Sequence, residues 1–242
     1  MKKILLILFV IICIGSCAFA KYYDTNKQVF EGDEELPFTD LLVKLYDYRG
    51  MPLTDRTTGK QLWGYNKYIN EIIKASKITI DKDNNKLIVG FEDGTFRPDD
   101  PVTKGQFLKM AIGLSVNRNF DFSMFRTSKI NHWAEPYVVV AEMQNVVNPG
   151  EYNDENLNDP ITRLEMMVIL SKIQINMKGV SKYTDDQLPD YEDIASLTEE
   201  ERGYVLHAAK YELIENMLKS KKLEPFSNIT RAEAARAIIR VY

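Results

Sequence analysis

Three cations recur at one place in a repeated pattern. Val102-Thr103-Lys104-Gly105-Gln106 is echoed by Ile161-Thr162-Arg163-Leu164-Glu165 and again by Ile229-Thr230-Arg231-Ala232-Glu233. If each threonine caps a helix, then Lys104, Arg163 and Arg231 stand at the first helical position. A cation there faces the positive end of the helix dipole, at a cost of a few tenths of a kcal/mol. One such residue is unremarkable, but three in register point to a compensating anion. A carboxylate or phosphate bound at a helix N-terminus beside a guanidinium is one source of that charge. An acid of the protein itself, or plain exposure to solvent, is the other account.

A second group of oxygen-bearing residues suggests metal chemistry and falls short of it. Asp81, Asp83, Asn85 and Glu92 occupy the oxygen positions of a calcium-binding EF-hand loop. The sixth position, where the sharp turn needs glycine, is Lys86. No helix can leave the loop, because Asp93-Gly94 reads as a turn and Pro98 and Pro101 follow. A polar, hairpin-like loop is the expectation, with no metal and no cofactor. Nothing in the chain has the signature of a nucleophile with its base, a paired-histidine metal site or a phosphate loop, so a non-catalytic protein is expected.

The elements that must position the three cations are legible. In each copy the threonine hydroxyl can accept from the backbone N–H three residues on, and Gln106, Glu165 or Glu233 can reach back to the threonine N–H. Val102 with Phe107, Ile161 with Met166, and Ile229 with Ala234 supply the matching hydrophobic staples. The helices that follow carry stripes at helical spacing: Phe107, Met110, Ala111, Leu114; Met166, Ile169, Leu170, Ile173; Ala234, Ala237, Ile238, Val241. Three matching stripes predict a central three-helix bundle. Thr103, Gln106, Thr162, Glu165, Thr230 and Glu233 are thereby assigned to helix capping.

Composition sets the surroundings. Residues 1–20 join Lys2 and Lys3 to an apolar run and end in Ala18-Phe19-Ala20, the pattern of an export signal. Ile14-Gly15-Ser16-Cys17 also resembles a lipobox, which would acylate Cys17. The only two cysteines, Cys13 and Cys17, lie in this segment, so the remainder has no disulfide and depends on its core. A hydrophobic content of 45% suffices for that. The net charge is −4, and loss of the first twenty residues would remove two lysines and no acid. Such a chain has no general footprint for nucleic acid, and an anionic partner must be caught in local pockets.

GFEDGTFRPDDPVTKGQF, NHWAEPYVVVAEMQNVV and ITRAEAARAII together resemble S-layer homology modules, which usually occur as three consecutive repeats. The resemblance runs from about Leu36 to Tyr242. It implies an all-α fold of three helix–loop–helix repeats in a pseudo-threefold unit, with the capped helices near the axis and grooves between repeats. The expected organisation is signal 1–20, tether 21–35, a first repeat with a polar insertion at 36–117, a second at 118–179 and a third at 180–242. The implied function is non-covalent attachment to the bacterial cell envelope. The implied partner is a secondary cell-wall polysaccharide, often pyruvylated, or peptidoglycan, and the implied location is the cell surface.

Site residues follow position by position. Arg163 and Arg231 match the family's motif arginine, and Lys104 replaces it in the first repeat. Asp93 and Gly94 match the Asp-Gly turn near the groove mouth. Trp133 matches the tryptophan of a His-Trp-Ala motif, as either a sugar platform or a core residue. His132 and His207 are expected to be structural. The second and third repeats lack the Asp-Gly turn, which leaves a second reading open: an envelope scaffold that binds other envelope proteins. Contact with a membrane is expected only through a lipid on Cys17.

Overall fold

The computed structural model describes residues 36–44, 50–51, 63–179, 191–214 and 221–241. The export signal, Cys17 and the tether lie outside them. The chain divides into two compact units, one of residues 1–36 and 41–67, the other of residues 37–40 and 68–242.

In the first unit β1 (Leu42–Lys44) pairs antiparallel with β2 (Trp63–Tyr65), Val43 opposite Gly64. The Asn66 N–H donates to the Leu41 carbonyl at 2.8 Å, continuing the pairing. These three-residue strands are the one sheet among the described residues. They bracket the polar insertion, whose unit extends to Leu41 and Lys67. The regular elements elsewhere among the described residues are helices, in accord with the all-α expectation.

The second unit contains α1 (Ile69–Lys77), α2 (Lys104–Ser115), α3 (Glu135–Met143), α4 (Arg163–Lys178), α5 (Glu199–Lys210) and α6 (Arg231–Val241). All three anticipated capping boxes form. Thr103 Oγ1 accepts from the Gln106 N–H at 3.2 Å, and Gln106 Oε1 accepts from the Thr103 N–H at 3.3 Å. The Thr162–Glu165 bonds measure 2.8 and 3.2 Å, and the Thr230–Glu233 bonds 2.9 and 3.2 Å. A fourth box, Thr198 with Glu201, starts α5. Its Thr-x-x-Glu signal, followed by Tyr204-Val205-Leu206, was present in the sequence.

The predicted stripes face inward. Phe107 and Ala111 of α2, Leu170 of α4, and Ala234 and Ile238 of α6 are fully buried; Leu114 is half-buried. Each buried Ile or Leu contributes about 2 kcal/mol. Helices α2, α4 and α6 touch pairwise. Around them the packing is cyclic: α3 lies on α2, α5 on α4 and α1 on α6. Each outer helix therefore packs on the capped helix that precedes it in the chain, and α1 completes the circle on the last one. Close approach at the start of α2 depends on Gly105, where a Cβ would stand 3.0 Å from the His132 ring and 3.2 Å from Ala134 Cβ.

The loop resembling a calcium site closes as a hairpin. The Ile80 N–H donates to Asn85 O and the Leu87 N–H to Ile78 O, each at 2.9 Å. The buried Asp81 carboxylate accepts from the backbone N–H groups of Asp83 and Asn85 and from the Asn85 amide. Its oxygens thus shape the turn.

Candidate functional site

The three capped helices meet at their N-termini through a ring of backbone hydrogen bonds. The Val102 N–H donates to Ile229 O (3.1 Å), the Ile229 N–H to Ile161 O (3.2 Å), and the Ile161 N–H to Val102 O (3.0 Å). The first two helical N–H groups of each helix then donate to carbonyls just before the next helix. Lys104 and Gly105 reach Asp159 and Leu157; Arg163 and Leu164 reach Ser227 and Pro225; Arg231 and Ala232 reach Asp100 and Pro98. The third N–H in each case is held by the capping threonine. This corrects one expectation. These helix N-termini offer no open row of N–H groups to an anion, because neighbouring carbonyls have consumed them.

The cations themselves reach sideways to the third helical residue of the next helix. Lys104 Nζ stands 2.9 Å from Glu165 Oε1, and an Arg163 Nη atom 3.9 Å from Glu233 Oε1. The third member differs. Arg231 Nη1 donates to neutral Gln106 Oε1 at 3.4 Å, while Nε and Nη2 donate to Phe96 O (2.7 Å) and Val89 O (3.0 Å). Two of the three cations have therefore found the compensating acid within the protein. Arg231 is 8% exposed and braces the loop before α2. Burial pulls its pKa down, with Asp100 and Asp40 acting in the opposite direction. Arg163 is less well satisfied: its buried Nε has no hydrogen-bond partner among the described residues.

Two grooves lie beside these contacts. The larger, about 230 Å³, runs along α2 under the loop of residues 87–96. It brings together Arg231, Gln106, Lys109 and Trp133 with Phe91 and Phe96. Trp133 is 45% exposed. It packs edge-on to Tyr137, with ring centroids 6.4 Å apart. His132 supports its segment by accepting from the Ala134 N–H at Nδ1 and facing Asn158 Oδ1 with Nε2.

Lys109 was not anticipated. It is half-buried, with no ion pair or hydrogen bond among the described residues. Burial lowers its pKa, and the charge of Asp81 acts against that. The available signal was register, since Lys109 and Arg236 stand equally far beyond Thr103 and Thr230, where α4 has Val168.

The smaller groove, about 30 Å³, is lined by Tyr68, Arg163, Glu233 and Arg236 with apolar neighbours. It repeats the plan of the larger one with a carboxylate added. Lys104 belongs to neither groove; its ammonium also lies 5.8 Å from the Tyr152 ring centre.

The Asp-Gly turn belongs to the loop that Arg231 braces. Asp93 Oδ1 accepts from the Thr95 hydroxyl and N–H, and Oδ2 pairs with Arg97 at 3.2 Å. Those bonds, the Thr95 hydroxyl foremost, hold the Asp93 pKa down to about 2. Gly94 has φ +79°, which only glycine adopts without strain. Asp93 and Gly94 are exposed and do not line the groove. Asp40 secures the turn from behind, accepting from the Phe96 N–H (2.7 Å) and the Arg97 N–H (2.6 Å).

The segment before α6 is held in the same way without an Asp-Gly pair. Asp193 accepts from the Leu223 N–H (2.9 Å) and the Glu224 N–H (2.7 Å). Arg97 and Glu224 both take positive φ, +56° and +53°. The sequence signal was Phe38-Thr39-Asp40 against Tyr191-Glu192-Asp193, an aromatic two residues before each aspartate.

Among the described residues no helix is long and apolar enough to cross a membrane. No curated protein matches the chain. The family model for the S-layer homology domain matches residues 82–108, which covers one repeat where the motifs suggested three. The matched stretch contains the hairpin turn, the Asp-Gly turn, the carbonyls that hold Arg231 and the start of α2. It is the segment that forms one wall of the larger groove.

Proposed function

We propose that the protein is a non-catalytic cell-envelope anchoring module. In this reading it has three S-layer homology repeats arranged with pseudo-threefold symmetry and binds an anionic, pyruvylated secondary cell-wall polysaccharide in the grooves between them. The S-layer homology match supports attachment to the envelope. The observation that carries the finer statement is the larger groove, where an exposed tryptophan face stands beside two cations, Lys109 and Arg231. An aromatic face suits the apolar side of a sugar ring. Cations in a half-buried groove suit its acid group.

The test is co-sedimentation of the mature protein with envelope sacculi, before and after the secondary polysaccharide is stripped. Binding that disappears on stripping is the expected result. Binding that survives stripping would move the ligand to peptidoglycan. Loss of all binding would end the anchoring proposal in favour of a scaffold that assembles with other envelope proteins.

A further inference from the structure

Between α2 and α3 the chain makes an exposed tip in which apolar and charged residues are sorted. Phe122 is buried and packs on Tyr137, with ring centroids 4.5 Å apart. It anchors a short 3-10 turn, Phe122–Phe125. On that turn Met124 is 78% exposed, the most exposed large apolar residue among those described. Phe120 and Phe125, both half-buried, stack on each other with centroids 5.1 Å apart.

The tip is braced on both sides. The Lys82 N–H donates to Phe120 O at 3.2 Å, and Lys82 Nζ pairs with Asp121 at 2.7 Å. After the turn, one oxygen of the buried Glu135 carboxylate accepts from the N–H groups of Thr127, Lys129 and Ile130 and from the Thr127 hydroxyl. The fold thus holds Met124 out in water, where its apolar surface gains nothing from burial.

The free charges around this tip have one sign. Residues 117–135 contain two acids, and both are committed: Asp121 to Lys82, and Glu135 to the groups just named. Their three cations, Arg118, Arg126 and Lys129, are exposed and have no ion pair among the described residues. Arg126 spends one Nη donor on Trp133 O at 3.5 Å. The whole chain has a net charge of −4, so this positive rim runs against the overall balance.

We propose that this tip is a docking surface for an anionic lipid bilayer. Met124 and the Phe120–Phe125 pair enter the headgroup layer, and Arg118, Arg126 and Lys129 meet the lipid phosphates. An apolar apex with cationic flanks suits the interface of such a bilayer. An anionic wall polymer would engage the cations but leave Met124 in water. Reach agrees with this occupant. Pro37 belongs to the second unit, so a lipid on Cys17 would keep that unit within roughly 70 Å of a bilayer, the full stretch of the intervening chain. A basic patch is also a usual second signal beside an acyl chain. The contact uses neither groove and stands apart from polymer binding.

The test is flotation of the mature chain beginning at Lys21, which carries no lipid, with vesicles of phosphatidylcholine alone or mixed with phosphatidylglycerol. Binding to the mixed vesicles is expected, with little to the plain ones, and it should weaken as salt is added. Arg118→Gln and Lys129→Gln should each lower the partition coefficient about fivefold, and Met124→Ser by a similar factor. All three residues are exposed, so urea midpoints should not move. Lys221→Gln removes an equal charge from an exposed place before α6 and should leave binding unchanged.

Absence of binding to the mixed vesicles would overturn the proposal and leave the tip to a protein partner. Equal losses from Lys221→Gln and Arg118→Gln would overturn the placing of the contact at this tip. Full binding by Met124→Ser would overturn it too, since charge alone would then carry the contact.

Discussion

Lys104 opens α2 and Glu165 lies in the first turn of α4, yet their charged atoms stand 2.9 Å apart. Glu165 thereby performs two tasks. It completes its own helix cap through Oε2 and neutralises a neighbour's badly placed cation through Oε1.

That double role predicts a graded loss. Glu165→Ala should cost about 1–2 kcal/mol in urea unfolding, because cap and ion pair are lost together. Glu165→Gln retains a cap acceptor and should cost no more than about 1 kcal/mol. A Lys104→Met change added to Glu165→Gln should cost less than it does alone, since the two residues share one interaction.

Arg231 makes a different prediction. Arg231→Ala leaves the carbonyls of Phe96 and Val89 without their donor in a buried place and should cost about 2–4 kcal/mol. Arg231→Lys should recover little, because a single ammonium cannot reproduce the planar fork that spans both carbonyls. Urea midpoints for the three proteins decide the matter.

Asp93 sets a pH dependence with a definite sign. Its pKa is lowered from an ordinary 3.8 to about 2 in the folded protein. A depressed folded pKa stabilises the fold above the unfolded value, and that stabilisation is lost as pH falls through the folded one. The unfolding midpoint should therefore drop between about pH 4 and pH 2. Asp93→Asn should flatten this part of the profile and converge with the unmodified protein near its lower end. Because Asp93 is exposed, salt should weaken the effect.

The parts of this structure written in short windows were readable from the chain. The caps at Thr103, Thr162 and Thr230 need only three neighbouring residues, and the stripes behind them follow from helical period. What the cations at positions 104, 163 and 231 touch depends on residues far away in sequence, so charge alone left acid, ligand and solvent open. Asp193 escaped notice because its role is a long-range grip on Leu223 and Glu224. Lys109 has no local motif to single it out, and only the loop folded over α2 gives it an enclosed setting. Gln106 was correctly assigned to a cap, but its contact with Arg231 becomes visible only in the fold.

The backbone ring of Val102, Ile161 and Ile229 has a consequence for growth and assembly. Each of its members spends both its donor and its acceptor on the other two. No free end is left to which a fourth helix start could add, so the ring cannot lengthen as an open solenoid does. Its last member arrives at residue 229, so during synthesis residues 102 to 229 must all emerge before the circle can close. A segment cut before that point has two partners and one vacant place, which a second molecule's Ile229 region could enter as a domain swap.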